Sequence, residues 1–241
     1  IKGSAATITM ASIGALSPAQ AQQKLEPVVC GFIGTGSQGS MLLGKVMRLP
    51  DVKMVGICDI YPPHLKKGLE IARGARGYED YRWMLERKDI QAIFIATPLY
   101  LHAPMAIAAM QAGKHVFCEK MMAYSIEDAR AMARTARDTK KILQIGHQRS
   151  CSPLYNHAFK LVREGVLGKI THIRAVWNRN GSWRRAVPDS KYERLLNWRL
   201  YKEYSQGLMA ELASHQMHVV NWFLGENPTS VMGMGGIDYW K

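Results

Sequence analysis

Glu211, His215 and His218 stand at i, i+4 and i+7 in an apolar-periodic stretch, so one helix face would carry a carboxylate and two imidazoles. A carboxylate one turn before a histidine can orient the ring and hold its tautomer, as a proton relay requires. The same three side chains can also ligate a metal, or the histidines can be satisfied structural groups. Lys120 follows a second apolar run, in Cys118-Glu119-Lys120. A lysine at a sheet edge becomes a general acid or base when partial burial and neighbouring cations lower its pKa. Its plain alternative is a surface lysine after a strand.

A third constellation binds rather than reacts. The apolar run Val28-Val29-Cys30-Gly31-Phe32-Ile33 leads into Gly34-Thr35-Gly36-Ser37-Gln38-Gly39, and Cys58-Asp59 closes the next apolar run. An acid about 20 residues past such a glycine turn is the spacing by which one βαβ unit holds a dinucleotide. Gly34 permits the tight turn, Gly36 lets backbone approach a pyrophosphate, and Gly39 lets helix and strand pack closely. The helix amino end then offers unpaired N–H groups to the phosphates. Asp59 favours NAD, because its carboxylate can accept ribose hydroxyls and repels a 2′-phosphate. Ile60 and Tyr61 supply no arginine, although Lys66 and Lys67 leave NADP open as the lesser choice.

These groups need a scaffold, and the chain alternates accordingly. Strands are expected at 28–33, 53–58, 91–96, 115–118 and 142–145, with helices at 38–48, 62–73, 79–87, 101–112 and 125–139. That rhythm is the signature of a doubly wound α/β parallel sheet, a Rossmann-type domain over 28–146. Ser125 with Asp128 marks a helix start, and Gly113 a helix stop. Ala96-Thr97-Pro98 and Cys118-Glu119-Lys120 then share the carboxyl edge, where such sheets bind ligands. From 147 to 241 a second unit is expected, with a helix at 153–164, a strand near 170–178, an irregular segment over 179–206, a helix at 207–224 and a strand near 229–236. One or two strands cannot make a stable sheet alone, so this α/β unit, with an open and mainly antiparallel sheet, reads as truncated. Trp177, Trp183, Arg184, Arg185, Trp198 and Arg199 in and around the irregular segment can stack on sugar rings or grip an acidic group, although a tryptophan is more often core than ligand.

The 241 residues are 47% hydrophobic and 21% charged, an ordinary globular balance. The formal net charge of +13 is dispersed, as in Arg130, Arg134 and Arg137 on one helix, without zinc-finger or RNA-binding signatures. Nucleic acid is therefore not expected as a partner, and the charge suits anionic ligands. The four cysteines form no C-x-x-C pair, and no metal site is expected. Residues 1–27 read as the tail of a signal peptide plus linker, with Ser17-Pro18-Ala19-Gln20-Ala21 predicting cleavage after Ala21. Ile1-Lys2-Gly3-Ser4-Ala5-Ala6 resembles the stretch after the arginine pair of twin-arginine signals, which implies an exported, periplasmic protein. The alternative is a leader in a cytoplasmic one. The stretch is too short and polar for stable membrane insertion.

From residue 28 onward the chain resembles the Gfo/Idh/MocA oxidoreductases. The resemblance rests on G-T-G-S-Q-G at 34–39, C-D at 58–59, A-T-P-L-Y-L-H at 96–102, G-K-H-V-F-C-E-K at 113–120, G-H-Q-R at 146–149 and A-E-L-A-S-H at 210–215. It implies that Lys120 matches the lysine of an E-K-P motif that binds substrate and assists proton transfer. Glu211 and His215 match a D-x-x-x-H pair, with His215 the base. Thr97, Pro98 and His102 match the segment along the nicotinamide, and Gln148 and Arg149 a stretch near cofactor and substrate. The cofactor-binding set is thus Gly34, Gly36, Ser37, Gln38, Gly39, Asp59, Thr97, Pro98, His102, Glu119, Lys120 and Gln148, with Arg149, His218, Trp198 and Arg199 as substrate contacts. Met121 replaces the usual proline, and Glu211 is one methylene longer than the usual aspartate.

The implied activity is NAD-dependent hydride transfer to or from a secondary alcohol of a sugar, polyol or glycoside. The family sheet implies a homo-oligomer for the full-length protein. Two alternatives remain: redox-neutral glycoside hydrolysis or epimerisation on tightly bound NAD, and non-catalytic nucleotide or sugar binding.

Overall fold

The computed structural model describes residues 26–178 and 181–236. The leader-like segment and its predicted cleavage point lie outside the described residues, apart from Glu26 and Pro27. Six parallel strands form one sheet in the order β3-β2-β1-β4-β5-β6. They are β1 Val28–Ile33, β2 Val52–Cys58, β3 Arg76–Tyr78, β4 Ala92–Ile95, β5 His115–Cys118 and β6 Leu143–Ile145. The helices between them are α1 Ser37–Val46, α2 Pro62–Ile71, α3 Tyr81–Leu85, α4 His102–Gln111 and α5 Ile126–Thr139. Alternate side chains of each strand leave by opposite faces. Phe32 and Ile57 enter the core shared with Leu43 of α1, whereas Ile33, Ile93 and Ile95 pack with Met110 of α4 and Met132 of α5. The strand order reverses between β1 and β4, so the crevice expected at such a switch point opens beyond Ile33 and Ile95.

β3 was not among the expected strands. Its Arg-Gly-Tyr sequence is too short to show a period, and only the ladder with Gly56–Cys58 makes it a strand. The helix expected at 79–87 shrinks to α3 because the Asp80 carboxylate caps it, accepting from the Arg82 amide at 2.9 Å. Ser125 caps α5 by accepting from the Asp128 amide, and Gly113 ends α4 at φ 82°.

Beyond β6 lie α6 Pro153–Arg163, the single turn α7 Glu193–Leu196 and α8 Ser214–Leu224. The strands expected near 170–178 and 229–236 do not form. Among the described residues no strand follows Ile145, and residues 171–178 and 229–236 are exposed. A strand needs a neighbour for its backbone groups, and no described segment supplies one. The mainly antiparallel sheet is thus not found among the described residues. Residues 190–206 instead dock on the rim of the parallel sheet. Tyr192 packs edge-on to Tyr61, Tyr204 lies 4.8 Å from Tyr100, and the Tyr124 hydroxyl donates to the Lys202 carbonyl. No described helix is long and apolar enough to cross a membrane.

Candidate active site

A cleft of about 770 Å³ runs along the carboxyl edge and under the docked segment. Its floor is the glycine turn. Gly34 adopts φ +89°, where a Cβ would meet the Ala96 carbonyl at 2.7 Å. A Cβ on Gly36 would meet only the His64 ring, at 3.5 Å, so protein packing does not demand glycine there. That opening, directly before the amino end of α1, fits a pyrophosphate. Asp59 directly follows β2, with its oxygens fixed by the Thr35 amide at 2.7 Å and the Tyr61 amide at 2.9 Å. A carboxylate oxygen accepts more than one hydrogen bond, so a ribose hydroxyl can still be served. Ser37, Gln38, Thr97, Pro98 and Gln148 also line the cleft. Gln38 donates to Glu119 at 2.9 Å, tying α1 to the end of β5. The Thr97 hydroxyl is buried without a partner, an orphan that a bound group would satisfy. These residues fit a dinucleotide.

His102 is deeply buried at the cleft wall. Its ring is 2% exposed, with Nδ1 2.7 Å from the Met121 carbonyl oxygen and Nε2 3.0 Å from that of Thr97. A neutral ring has one N–H and donates to only one of these carbonyls, and burial favours that neutral form by driving the pKa below the usual imidazole range. His102 lines the cleft beside Thr97 and Pro98 and also ties the peptide after Lys120 to the end of β4.

Lys120 and His215 line the same cleft although they are 95 residues apart. The Lys120 amine donates to the Glu211 carbonyl oxygen at 2.5 Å. Burial lowers its pKa and the Arg199 charge lowers it further, against the pull of Glu211 and Glu119. His215 is 8% exposed and lies 5.8 Å from Trp177, ring against ring. Burial, then the Lys120 and Arg149 charges, push it down to about 4. It is a neutral base at neutral pH.

The expected carboxylate–imidazole pair does not form. Glu211 accepts from Arg199 Nε at 3.0 Å and from the Ser205 hydroxyl at 3.2 Å. The reason is local: Met209–Ala213 is a π-helical turn leading into α8, so the i, i+4 alignment of a regular α-helix does not hold there. Arg199 is correspondingly a counter-ion to Glu211 rather than a free substrate contact, with Trp198 beneath its guanidinium at 4.2 Å. Arg149 spans the Tyr155 and Trp177 rings, at 5.6 and 5.7 Å.

His218 stacks on His147 with centroids 4.3 Å apart and planes 8° from parallel. The sequence reading passed over His147, although the sheet-edge rule that singled out Lys120 applies equally to the residues just past β6. Burial, with His218 and Lys120 beside it, pushes His147 to about 4, and its Nδ1 is buried without a partner. Among the described residues, no three His, Cys, Asp or Glu side chains converge as metal ligands.

These depressed imidazoles make stability pH-dependent. Unfolded histidines titrate near 6.5, so between about pH 6.5 and 4 the unfolded chain binds more protons and stability rises with pH. Urea unfolding at pH 5 should give about 2 kcal/mol less stability than at pH 7, allowing for solvent screening. His147→Asn and His215→Asn should each flatten that slope. An unchanged slope in both would remove these rings as its source.

The parallel sheet with its switch-point crevice, glycine turn and placed acid defines a dinucleotide-binding Rossmann domain, completed by a helical segment that roofs the cleft. The chain belongs to the Gfo/Idh/MocA family. Residues 28–147 match the model of the oxidoreductase family with an NAD-binding Rossmann fold, and residues 155–241 match the GFO/IDH/MocA C-terminal domain. A glycosyl hydrolase family 109 protein of Stenotrophomonas maltophilia is 31% identical over 71% of this chain and 40% of its own. Myo-inositol 2-dehydrogenase of Lactobacillus plantarum superposes with TM-score 0.68 at 26% identity, over 84% of this chain and 58% of that one. WlbA dehydrogenase of Bordetella pertussis, solved with NADH and UDP-GlcNAcA, gives 0.71 at 26%, over 83% and 56%. The chain spans about half the length of the curated relatives it matches, 57% and 40% of the first two.

Proposed function

We propose that the protein is an NAD-dependent oxidoreductase acting on a secondary alcohol of a sugar, polyol or glycoside. The observation that carries this reading is the meeting of Lys120 and His215 in the cleft whose floor is the dinucleotide cradle. The nicotinamide, when bound, supplies the hydride acceptor or donor. His215, neutral at pH 7, takes the hydroxyl proton as the alcohol is oxidised. Lys120 stabilises the oxygen on which negative charge develops. Glu211 holds Lys120 through its main-chain carbonyl while Arg199 absorbs its carboxylate charge. Trp177 lines the cleft beside His215 and supplies the aromatic surface a pyranose packs on. The inositol dehydrogenase and the sugar-nucleotide complex among the matched structures support this substrate class.

A second reading, redox-neutral cleavage or epimerisation of a glycoside on retained NAD, is favoured by the His147–His218 stack. Two further neutral imidazoles, His147 beside Lys120 and His218 stacked on His147, suit a reaction with more than one proton transfer. The family 109 hydrolase name of a relative points the same way. The leader-like opening supports export, in which case the nucleotide would be retained rather than exchanged.

A panel of polyols and glycosides with purified protein and NAD⁺ separates the readings. Stoichiometric NADH formation supports the first, and product without net NADH supports the second. Bound nucleotide with no chemistry on any member would leave only a binding protein.

A further inference from the structure

Charge around Lys120 and His215 is unbalanced. Lys120, Arg185 and Arg199 line the cleft, and Arg149 stands behind it, over the cleft-lining Trp177 and close enough to His215 to lower its pKa. Of the nearby carboxylates, Glu211 is taken by Arg199 and Ser205, and Glu119 is tied to Gln38 on the cofactor side. Arg184 pairs with Glu193, but its neighbour Arg185 lines the cleft without an ion-pair partner among the described residues. Its backbone is nonetheless clamped. Asn197, 2% exposed, accepts from the Arg185 amide at 2.7 Å and donates to the Arg185 carbonyl at 3.0 Å. A buried amide spent on both backbone groups of an exposed arginine fixes where that side chain emerges. Arg149 is likewise ordered by two aromatic faces and has no carboxylate partner among the described residues. The three imidazoles beside these cations are all held neutral, so none adds a competing charge at pH 7 and none supplies the missing anion.

We infer that the cleft selects a carbohydrate bearing an anionic group, with Arg185 gripping the anion, Arg149 adding its charge from behind Trp177, and Trp177 packing on the ring. The inference rests on the sugar-oxidoreductase reading and narrows its substrate class. A guanidinium fork matches a planar carboxylate with two parallel hydrogen bonds and binds phosphate comparably. The shared chemistry is therefore an oxyanion on a sugar, and the test separates its two forms.

The NAD-loaded protein is titrated calorimetrically with D-glucose, D-glucuronate and D-glucose 6-phosphate, and with the three galacto counterparts. Within a set the members differ at the exocyclic carbon. At least one anionic member should bind about tenfold or more tightly than its neutral parent. Preference for the uronate identifies a carboxylate, and preference for the phosphate ester a phosphate. Arg185→Gln and Arg149→Gln should each reduce the ratio, while NADH affinity, read by nucleotide fluorescence, stays unchanged. Equal or tighter binding of the neutral sugars overturns the inference and leaves the sugar-oxidoreductase reading standing. Selectivity that survives both substitutions also overturns it. NADH binding with no sugar bound at all overturns both.

Discussion

Replacing Lys120 with alanine should lower kcat by about a thousandfold, the scale on which positioned acid–base and oxyanion-stabilising groups act. Nucleotide affinity should change less than about threefold, because the glycine turn, the α1 amino end and Asp59 carry most of it. The asymmetry follows from where the amine sits. It is anchored on the Glu211 carbonyl, beside His215 and Arg199, at the meeting of the parallel sheet and the roofing helix. Lys120→Arg should not rescue turnover: a guanidinium keeps its charge but cannot exchange a proton near neutral pH. His215→Asn should cost a similar factor, and the double variant little more than either single one, since groups acting as a unit are not additive. Pre-steady-state NADH absorbance with the best substrate gives each rate. A loss below about tenfold for Lys120→Ala would remove the amine from the chemistry.

The dinucleotide half was legible because its signals are local. Apolar runs such as Val28–Ile33 bury on both faces and show as strands without knowledge of their partners. The glycine positions depend on φ and close approach, and these are fixed within a few residues. The cleft's chemistry was less legible, because it depends on which partner wins among competing long-range contacts. Glu211 was expected to turn toward His215 on its own helix; Arg199, twelve residues earlier in sequence, captures it instead. No single-helix spacing rule reports that a π turn will interrupt the alignment or that an arginine will arrive from the docked segment. His102 illustrates the same limit. Its position after Thr97 and Pro98 suggested the cofactor, and it does line the cleft, but that spacing does not report that the Met121 carbonyl, nineteen residues on, also sits against Nδ1. The strands expected near 170–178 and 229–236 fail for a related reason: their composition suits a sheet, yet a strand exists only where another backbone meets it.

Three alanines in the same turn-and-helix unit should have three different outcomes. At Gly39 a Cβ would lie 1.8 Å from the Gly34 carbonyl oxygen. Neither atom can yield, because Gly34 is itself packed against the Ala96 backbone. α1 must lift from β1, so Gly39→Ala should lower the melting temperature by several degrees and weaken NADH binding about a hundredfold. At Gly36 the added methyl meets no backbone, so Gly36→Ala should melt like the parent yet lose about tenfold or more in NADH affinity, because the methyl stands where a pyrophosphate approaches. At Gly44, inside α1, nothing lies within 4 Å of the new Cβ. Gly44→Ala should leave NADH binding intact and stabilise the fold by about 0.5–1 kcal/mol through helix propensity. Thermal melts and fluorescence titrations on the three variants thus separate packing from ligand approach at neighbouring glycines. If Gly36→Ala instead lost stability and kept its affinity, the glycine turn would be a structural corner, and the nucleotide would have to be held elsewhere along the carboxyl edge.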